Sequence, residues 1–299
     1  MERSKNLKIL ILGGTKFIGK GLFLFLKKKN FKVKTFSRKK LYSKKNTKNH
    51  YLDDIKNFSK YICNEEFDII VDFISKDRKL TEKILSTVKF KKYFFISTTW
   101  MSRINKSIKV NTPITKKFFI SKKLPEVTRK YLRDKMNVEH LIYNIFKKNF
   151  NKKIFILRLP IMIGTNDSTK RINYYVKMLR NKNFPYKFYN QKINLLRIEN
   201  FYEAFEKLIY NLKINILSSK KIIECLNPKY ITFGKIIYLI SKKMKKKIIN
   251  TKTDINSKKT FGPYKHDIYL KISNSNIFKI TKTKTYKANK LFNNFSTTT

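Results

Sequence analysis

Four of the chain's seven glycines fall within nine residues, in Gly13-Gly14-Thr15-Lys16-Phe17-Ile18-Gly19-Lys20-Gly21. An apolar-rich run at 7–12 leads into this stretch and another, at 17–26, leads out of it. Strand, glycine turn and helix in that order constrain the fold more than any other feature, because they open a βαβ unit. Glycines at such a turn allow a sharp bend and let backbone N–H groups approach a pyrophosphate at a helix N-terminus. A plain strand-to-helix turn is the alternative reading of the same residues.

The rest of the chain continues the alternation. Apolar β-type runs at 7–12, 31–36, 51–52, 67–74, 92–97 and 154–159 predict strands, and helical periods fit 19–29, 79–88 and 127–149. Near-continuous apolar strands are those of a parallel sheet covered on both faces, and alternation with helices implies right-handed crossovers. The expected fold class is therefore α/β, a Rossmann-type doubly wound parallel sheet, with a dinucleotide-binding domain over 1–165. Beyond Gly164 the pattern loosens into helices at 172–179, 201–212 and 233–242 and a strand at 221–226. That region, 166–284, is expected to form a small C-terminal substrate-facing subdomain interleaved with the Rossmann core, followed by a polar tail over 285–299. At 299 residues the chain is long enough to bury a sizeable core.

The formal net charge is +51, which ordinarily directs attention to nucleic acid or an anionic surface. Here the lysines are spread along the whole chain beside abundant Asn, Ile, Phe and Tyr, a bias that AT-rich codons produce. The expectation is weak, salt-sensitive affinity for polyanions without a specific nucleic-acid partner. No apolar stretch reaches the 18 or so residues of a membrane span, and the start Met1-Glu2-Arg3-Ser4-Lys5 runs into a strand rather than a signal-peptide core. Cys63 and Cys225 match no metal spacing and suit a reducing cytoplasm. No metal site is expected, and His50, His140 and His266 read as surface or packing residues.

Two further constellations carry chemistry. Tyr131 and Lys135 stand four apart and so share a helix face, where an ammonium can favour phenolate and let the pair exchange a proton with a hydroxyl or carbonyl. A solvated helix face explains the same spacing. Phe95-Ile96-Ser97-Thr98-Thr99 ends a predicted strand in hydroxyls, at the edge where open α/β sheets bind ligands. The second strand ends in Phe36-Ser37-Arg38-Lys39, where sites that prefer NAD place Asp or Glu on the ribose 2′-OH. A hydroxyl and a guanidinium there suit a 2′-phosphate, with Lys16 within reach from the glycine loop, so NADP is expected over NAD, with NAD also accommodated.

Together these pieces resemble the extended short-chain dehydrogenase/reductase superfamily, in its NAD-dependent epimerase/dehydratase branch, over residues 7 to 245. Gly13, Gly14, Thr15, Lys16, Phe17, Ile18 and Gly19 look like that family's cofactor motif. Asp53 falls where the family has an acidic contact to adenine, while Phe73, Ile74 and Pro160 fall on stretches that border the cofactor. The resemblance implies Tyr131 as acid/base, Lys135 on the nicotinamide ribose, and Thr98 orienting the substrate oxygen of a small-molecule substrate. The departures narrow the likeness. Lys16 replaces the middle glycine, as in an atypical Gly-Gly-Thr-x-Phe-Ile-Gly subgroup, and Asp167-Ser168-Thr169-Lys170-Arg171-Ile172-Asn173-Tyr174-Tyr175 is similar to a block that subgroup carries. Met101-Ser102 stands where Val-Tyr is usual. No Asp-Glu pair follows Thr98, which speaks against a 4,6-dehydratase, and Ile193 beside Lys192 is out of step with a nucleotide-sugar diphosphate contact. Some relatives near that subgroup are RNA-binding, so an atypical non-catalytic member that binds RNA or a protein stays open as the alternative. Helices 79–88 and 127–149 are the faces that could pair in a homodimer.

Overall fold

The computed structural model describes residues 6–38, 50–52, 57–62, 64–100, 114, 120, 122, 124–148, 153–165, 167–180, 190, 192–210, 222–245, 274 and 276–285. The first half runs β1 (Lys8–Leu12), α1 (Phe17–Lys28), β2 (Lys32–Ser37), β3 (His50–Leu52), α2 (Phe58–Ile62), β4 (Glu66–Asp72), α3 (Arg78–Thr87), β5 (Lys89–Thr98), α4 (Glu126–Lys148) and β6 (Lys153–Leu159). The second half adds β7 (Ile161–Ile163), α5 (Arg171–Arg180), β8 (Lys192–Ile193), β9 (Leu195–Arg197), α6 (Ile198–Tyr210), β10 (Ile222–Glu224), β11 (Ile231–Thr232), α7 (Phe233–Met244) and α8 (Ile277–Ile280).

Seven strands form the main sheet in the order β10-β6-β5-β4-β1-β2-β3, and every neighbouring pair is parallel. From β1 the chain steps out to β2 and β3, then crosses back to β4 on the far side of β1. The direction of winding therefore reverses between β1 and β4, and the crevice at their C-terminal ends is where open α/β sheets take ligands. The fold is the doubly wound α/β architecture expected.

Period-two alternation sorts the core into two layers. Ile9 and Ile11 face one side with Leu22, Phe23 and Leu26 of α1 and Phe201, Phe205 and Leu208 of α6. Leu10 and Leu12 face the other with Ile84 and Leu85 of α3 and Val138 and Ile142 of α4. A third cluster, built on Tyr175 and Val176 of α5 and Ile236, Ile237 and Ile240 of α7, lies over β8 and β11, which pair antiparallel. Residues beyond 166 thus serve both bodies: α5 and α7 make the small layer, whereas α6 and β10 return to the main sheet. Among the described residues no helix is long and apolar enough to cross a membrane.

Some boundaries shift for visible reasons. β4 ends at Asp72, so Phe73 and Ile74 leave the predicted strand, because the Asp72 carboxylate accepts the N–H groups of Ile74 and Ser75 at 2.8 and 2.9 Å and folds the chain away. α1 starts at Phe17, two residues before the predicted start, and β5 begins at Lys89. β10 is shorter than the predicted 221–226, although the Cys225 N–H still bonds the Arg158 carbonyl at 2.9 Å. The short α2, β7, β8, β9, β11 and α8 were too brief for periodicity to reveal. Most of the loop 102–125, Asp53, Lys39, Cys63, His266 and most of the tail lie outside the described residues.

The glycine-turn helix is pinned from the second half of the chain. The Tyr202 hydroxyl of α6 donates to the Ile18 carbonyl at 3.0 Å, and a Cβ on Gly21 would meet that hydroxyl oxygen at 2.1 Å. Gly21→Ala should therefore destabilise by about 1–3 kcal/mol in urea unfolding, the usual cost of overpacking. Adding Tyr202→Phe should recover part of that loss, although Tyr202→Phe alone costs about 1 kcal/mol for its hydrogen bond. Additive losses in the double variant would contradict this packing.

Candidate active site

The switch-point crevice is a cleft of about 1350 Å³. Its walls come from the glycine turn (Gly13, Thr15, Lys16, Phe17, Ile18, Gly19), the end of β2 (Phe36, Ser37, Arg38) and the β4–α3 turn, beginning with Phe73 and Ile74. The turn closes as tightly as glycine permits. Gly13 adopts φ +90°, and a Cβ there would stand 2.5 Å from Cγ2 of Ile74; one on Gly19 would stand 2.5 Å from the Gly13 carbonyl oxygen. Gly14 sits behind, against Thr35, whose hydroxyl donates to the Ile11 carbonyl at 2.9 Å. No side chain caps α1 and no acid lies in its first turn, so its leading N–H groups and positive dipole end are left for an anion. These features fit a dinucleotide pyrophosphate. Ser37 and Arg38 line the same cleft at the end of β2.

Thr98 and Tyr131 meet at the C-terminal end of β5. Tyr131 keeps 43% of its surface exposed, but its hydroxyl is enclosed, and burial pushes the phenol above its ordinary range. Hydrogen bonding with Thr98 and the nearby Arg171 charge pull it back down, while Glu139 raises it. The cation acting on the phenol is thus Arg171 of α5, inside the sequence block that resembled the atypical subgroup. Lys135, one turn on from Tyr131, is buried at 7% exposure and donates to the Ile96 carbonyl at 2.8 Å, with its ammonium 4.5 Å from the Phe95 ring centre. Burial brings its pKa down to about 8, partly offset by Asp72, Glu139 and Asp134.

One turn further, Glu139 completes the same helix face. Its carboxylate receives the Ser97 hydroxyl and, from Arg158 of β6, Nη2 at 2.6 Å and Nε at 3.2 Å; Arg158 and Glu139 side chains are both at 0% exposure. Ser97 and Arg158 are register partners across β5 and β6, so one carboxylate ties α4 to two strands. Asp72 does similar work at the next strand, accepting the hydroxyls of Ser75 and Tyr93 as well as the two turn N–H groups.

The structure brings Thr98, Tyr131 and Lys135 to one end of the sheet, and gathers Gly13, Thr15, Lys16, Phe17, Ile18, Gly19, Ser37, Arg38, Phe73 and Ile74 around one cleft. Pro160 follows β6, where the Thr99 N–H bonds the preceding Leu159 carbonyl at 2.9 Å. Sequence reasoning missed Glu139, Arg158 and Arg171. A lone arginine inside the apolar strand 154–159 was the available signal, since a buried charge requires a partner. The partner's place, four residues past Lys135, follows from helical spacing.

No protein-family model matches the sequence, and no curated protein does. Solved structures do. A UDP-glucuronic acid 4-epimerase mutant from Bacillus cereus, in complex with UDP-4-deoxy-4-fluoro-glucuronic acid and NAD, superposes with a TM-score of 0.64 at 17% identity over 95% of both chains. An epimerase from Methanothermobacter thermautotrophicus gives 0.65 at 12% identity, covering 98% of this chain and 93% of its own. The dTDP-glucose 4,6-dehydratase from Bacillus anthracis, in complex with NAD, gives 0.58 at 15% identity over 81% and 82%. The chain shares their fold.

Lys135 gives a test of this geometry through pH. Between about 8 and the ordinary 10.5 the unfolded chain holds this proton and the folded chain releases it, so the Lys135 contribution to stability rises with pH across that window. Relative to a Lys135→Met variant, the native protein should therefore gain up to about 3 kcal/mol between pH ~7 and ~10.5 in urea unfolding. A constant difference, or one of opposite sign, would contradict the buried ammonium.

Proposed function

We propose that this chain is a cytoplasmic enzyme that binds a nicotinamide dinucleotide, NADP in preference to NAD. It would act as an oxidoreductase or epimerase of the extended short-chain dehydrogenase/reductase type on a small-molecule alcohol or carbonyl. The observation that carries the reading is the meeting of Thr98 and Tyr131 at the end of β5, with Lys135 buried one turn further along α4, one strand over from the β4 end whose turn lines the glycine cleft. When bound, the nicotinamide ring supplies or accepts a hydride at its reactive carbon. The protein's own part is proton transfer, orientation and charge. The Tyr131 phenol, held protonated by burial, gives its proton to a substrate oxygen as a carbonyl is reduced, and takes one back in the opposite direction. The Thr98 hydroxyl orients the same oxygen. Arg171 supplies positive charge where oxyanion character develops, and Lys135 holds α4 to β5 through the Ile96 carbonyl.

Ser37 and Arg38 at the tip of β2 support the NADP preference, because the cleft there offers a hydroxyl and a guanidinium in place of a carboxylate. The alternative, a non-catalytic RNA- or protein-binding member, rests on Lys16 and the charge of +51. The proton-transfer role decides between them. Tyr131→Phe should lower kcat by about 10²–10⁴-fold while leaving the dinucleotide Kd within about twofold. Unchanged turnover would remove Tyr131 from the reaction.

A further inference from the structure

The fold brings a guanidinium to the Tyr131 phenol and gives it no acid to pair with. Thr98 and Leu159 are register partners at the ends of β5 and β6, so the chain leaves the sheet beside the phenol before it forms β7. Helix α5 then opens at Arg171, and its Ile172, Tyr175, Val176 and Leu179 enter the third core cluster, which fixes the helix in place. Arg171 itself stays half-buried, with its charge acting on the Tyr131 hydroxyl. The turn before it is closed by Asp167, whose carbonyl accepts the Lys170 N–H at 3.1 Å and whose Oδ1 accepts the Thr169 N–H and hydroxyl at 2.9 and 2.5 Å. Arg171 Nη1 in turn donates to the Thr169 hydroxyl oxygen at 3.0 Å. That tether orients the guanidinium without neutralising it. Among the described residues Arg171 makes no ion pair: Glu126 is taken by Arg129 and Arg133, Glu139 by Arg158, and Glu199 by Arg197. Asp167 reaches it only through Thr169, and its Oδ2 is enclosed without a hydrogen-bond partner. Lys135, the other cation of this neighbourhood, is committed to the Ile96 carbonyl.

We propose that Arg171 receives an anionic group, a carboxylate or a phosphate, carried by the substrate whose hydroxyl or carbonyl meets Tyr131 and Thr98. The inference rests on the oxidoreductase reading and narrows its substrate class to acidic alcohols and carbonyls. A guanidinium presents its N–H donors as a planar fork, and the bond to Thr169 uses only one of them. The remaining donors match the paired oxygens of a carboxylate or phosphate, which they hold through charge-assisted hydrogen bonds. Charge supplied to a developing oxyanion acts only in the transition state, whereas an anchor for a permanent anion also acts on the bound substrate. An anchored anion would fix the reacting carbon near the phenol before the chemical step. Arg171 is not among the residues that line the glycine cleft, so the anchor and the dinucleotide site can be tested apart.

Titration calorimetry on the NADP-loaded full chain near physiological salt, with glycerate, glycerol phosphate and glycerol, tests this. The three probes share a hydroxyl and differ in carrying a carboxylate, a phosphate or no charge, so the tighter anion also separates the two chemistries. At least one anion should bind about tenfold or more tightly than glycerol, and Arg171→Gln should remove most of that advantage while the NADP Kd stays within about twofold. The control Lys207→Gln removes one charge from α6 and should leave every ligand within about twofold. An advantage that survives Arg171→Gln, or equal losses in the two variants, would mean bulk charge only and overturn the anchor. If NADP binds and neither anion gains over glycerol, the acidic-substrate inference falls and the dinucleotide reading stands. A native chain that binds neither NADP nor NAD would overturn both.

Discussion

A single buried carboxylate sets the geometry on which the site depends. Glu139 holds Arg158 and Ser97 together in a region without solvent, and through them fixes α4 against β5 and β6. Such a pair costs desolvation on both sides and adds little net stability, but losing one partner strands the other charge at a cost of about 3–5 kcal/mol. Its effect is positional. Tyr131, Lys135 and Glu139 lie on one face of α4, and Lys135 and Glu139 engage the adjacent β5 residues Ile96 and Ser97. The phenol at the top of that ladder is thereby set at the end of β5, where Thr98 can reach it.

The other half of the site depends on backbone rather than side chains. Glycine at 13 and 19 lets the β1–α1 turn close on itself and on Ile74, while Asp72 draws the β4–α3 turn in from the far side. The cleft between them then acquires positive charge from the α1 N-terminus and from Lys16 and Arg38. A chain this basic exposes cations on every surface, so selectivity has to come from where they converge. Here they converge beside an uncapped helix end, which strengthens the case for a phosphorylated ligand beyond what composition could support.

The fold was legible because its signal is long-range and repeated. Apolar strands alternating with helical periods, with a glycine turn after the first, leave few topologies open, and the parallel order followed. Most of the residues expected to border a cofactor line the cleft for the same reason, since they sit at or just after strand ends that the pattern locates. What the sequence concealed was side-chain partnership. Nothing in the spacing of Lys135 told that its ammonium would turn under β5 to Ile96, nor that the charge near Tyr131 would be Arg171, 40 positions away. Short elements such as β7 and β9 pair with each other through only three residues each, too few for a period to show.

Trp100, the chain's one tryptophan, offers the most direct test that a nicotinamide lies beside Thr98. Its backbone N–H donates to the Thr98 hydroxyl oxygen at 3.2 Å, and its side chain packs with Leu132 and Met136 of α4. Energy transfer from Trp100 to NADPH, read as dihydronicotinamide emission on tryptophan excitation, should appear on binding and disappear when excess NADP is added. Saturable NADPH binding with no such transfer would place the reduced ring away from Tyr131 and contradict the account.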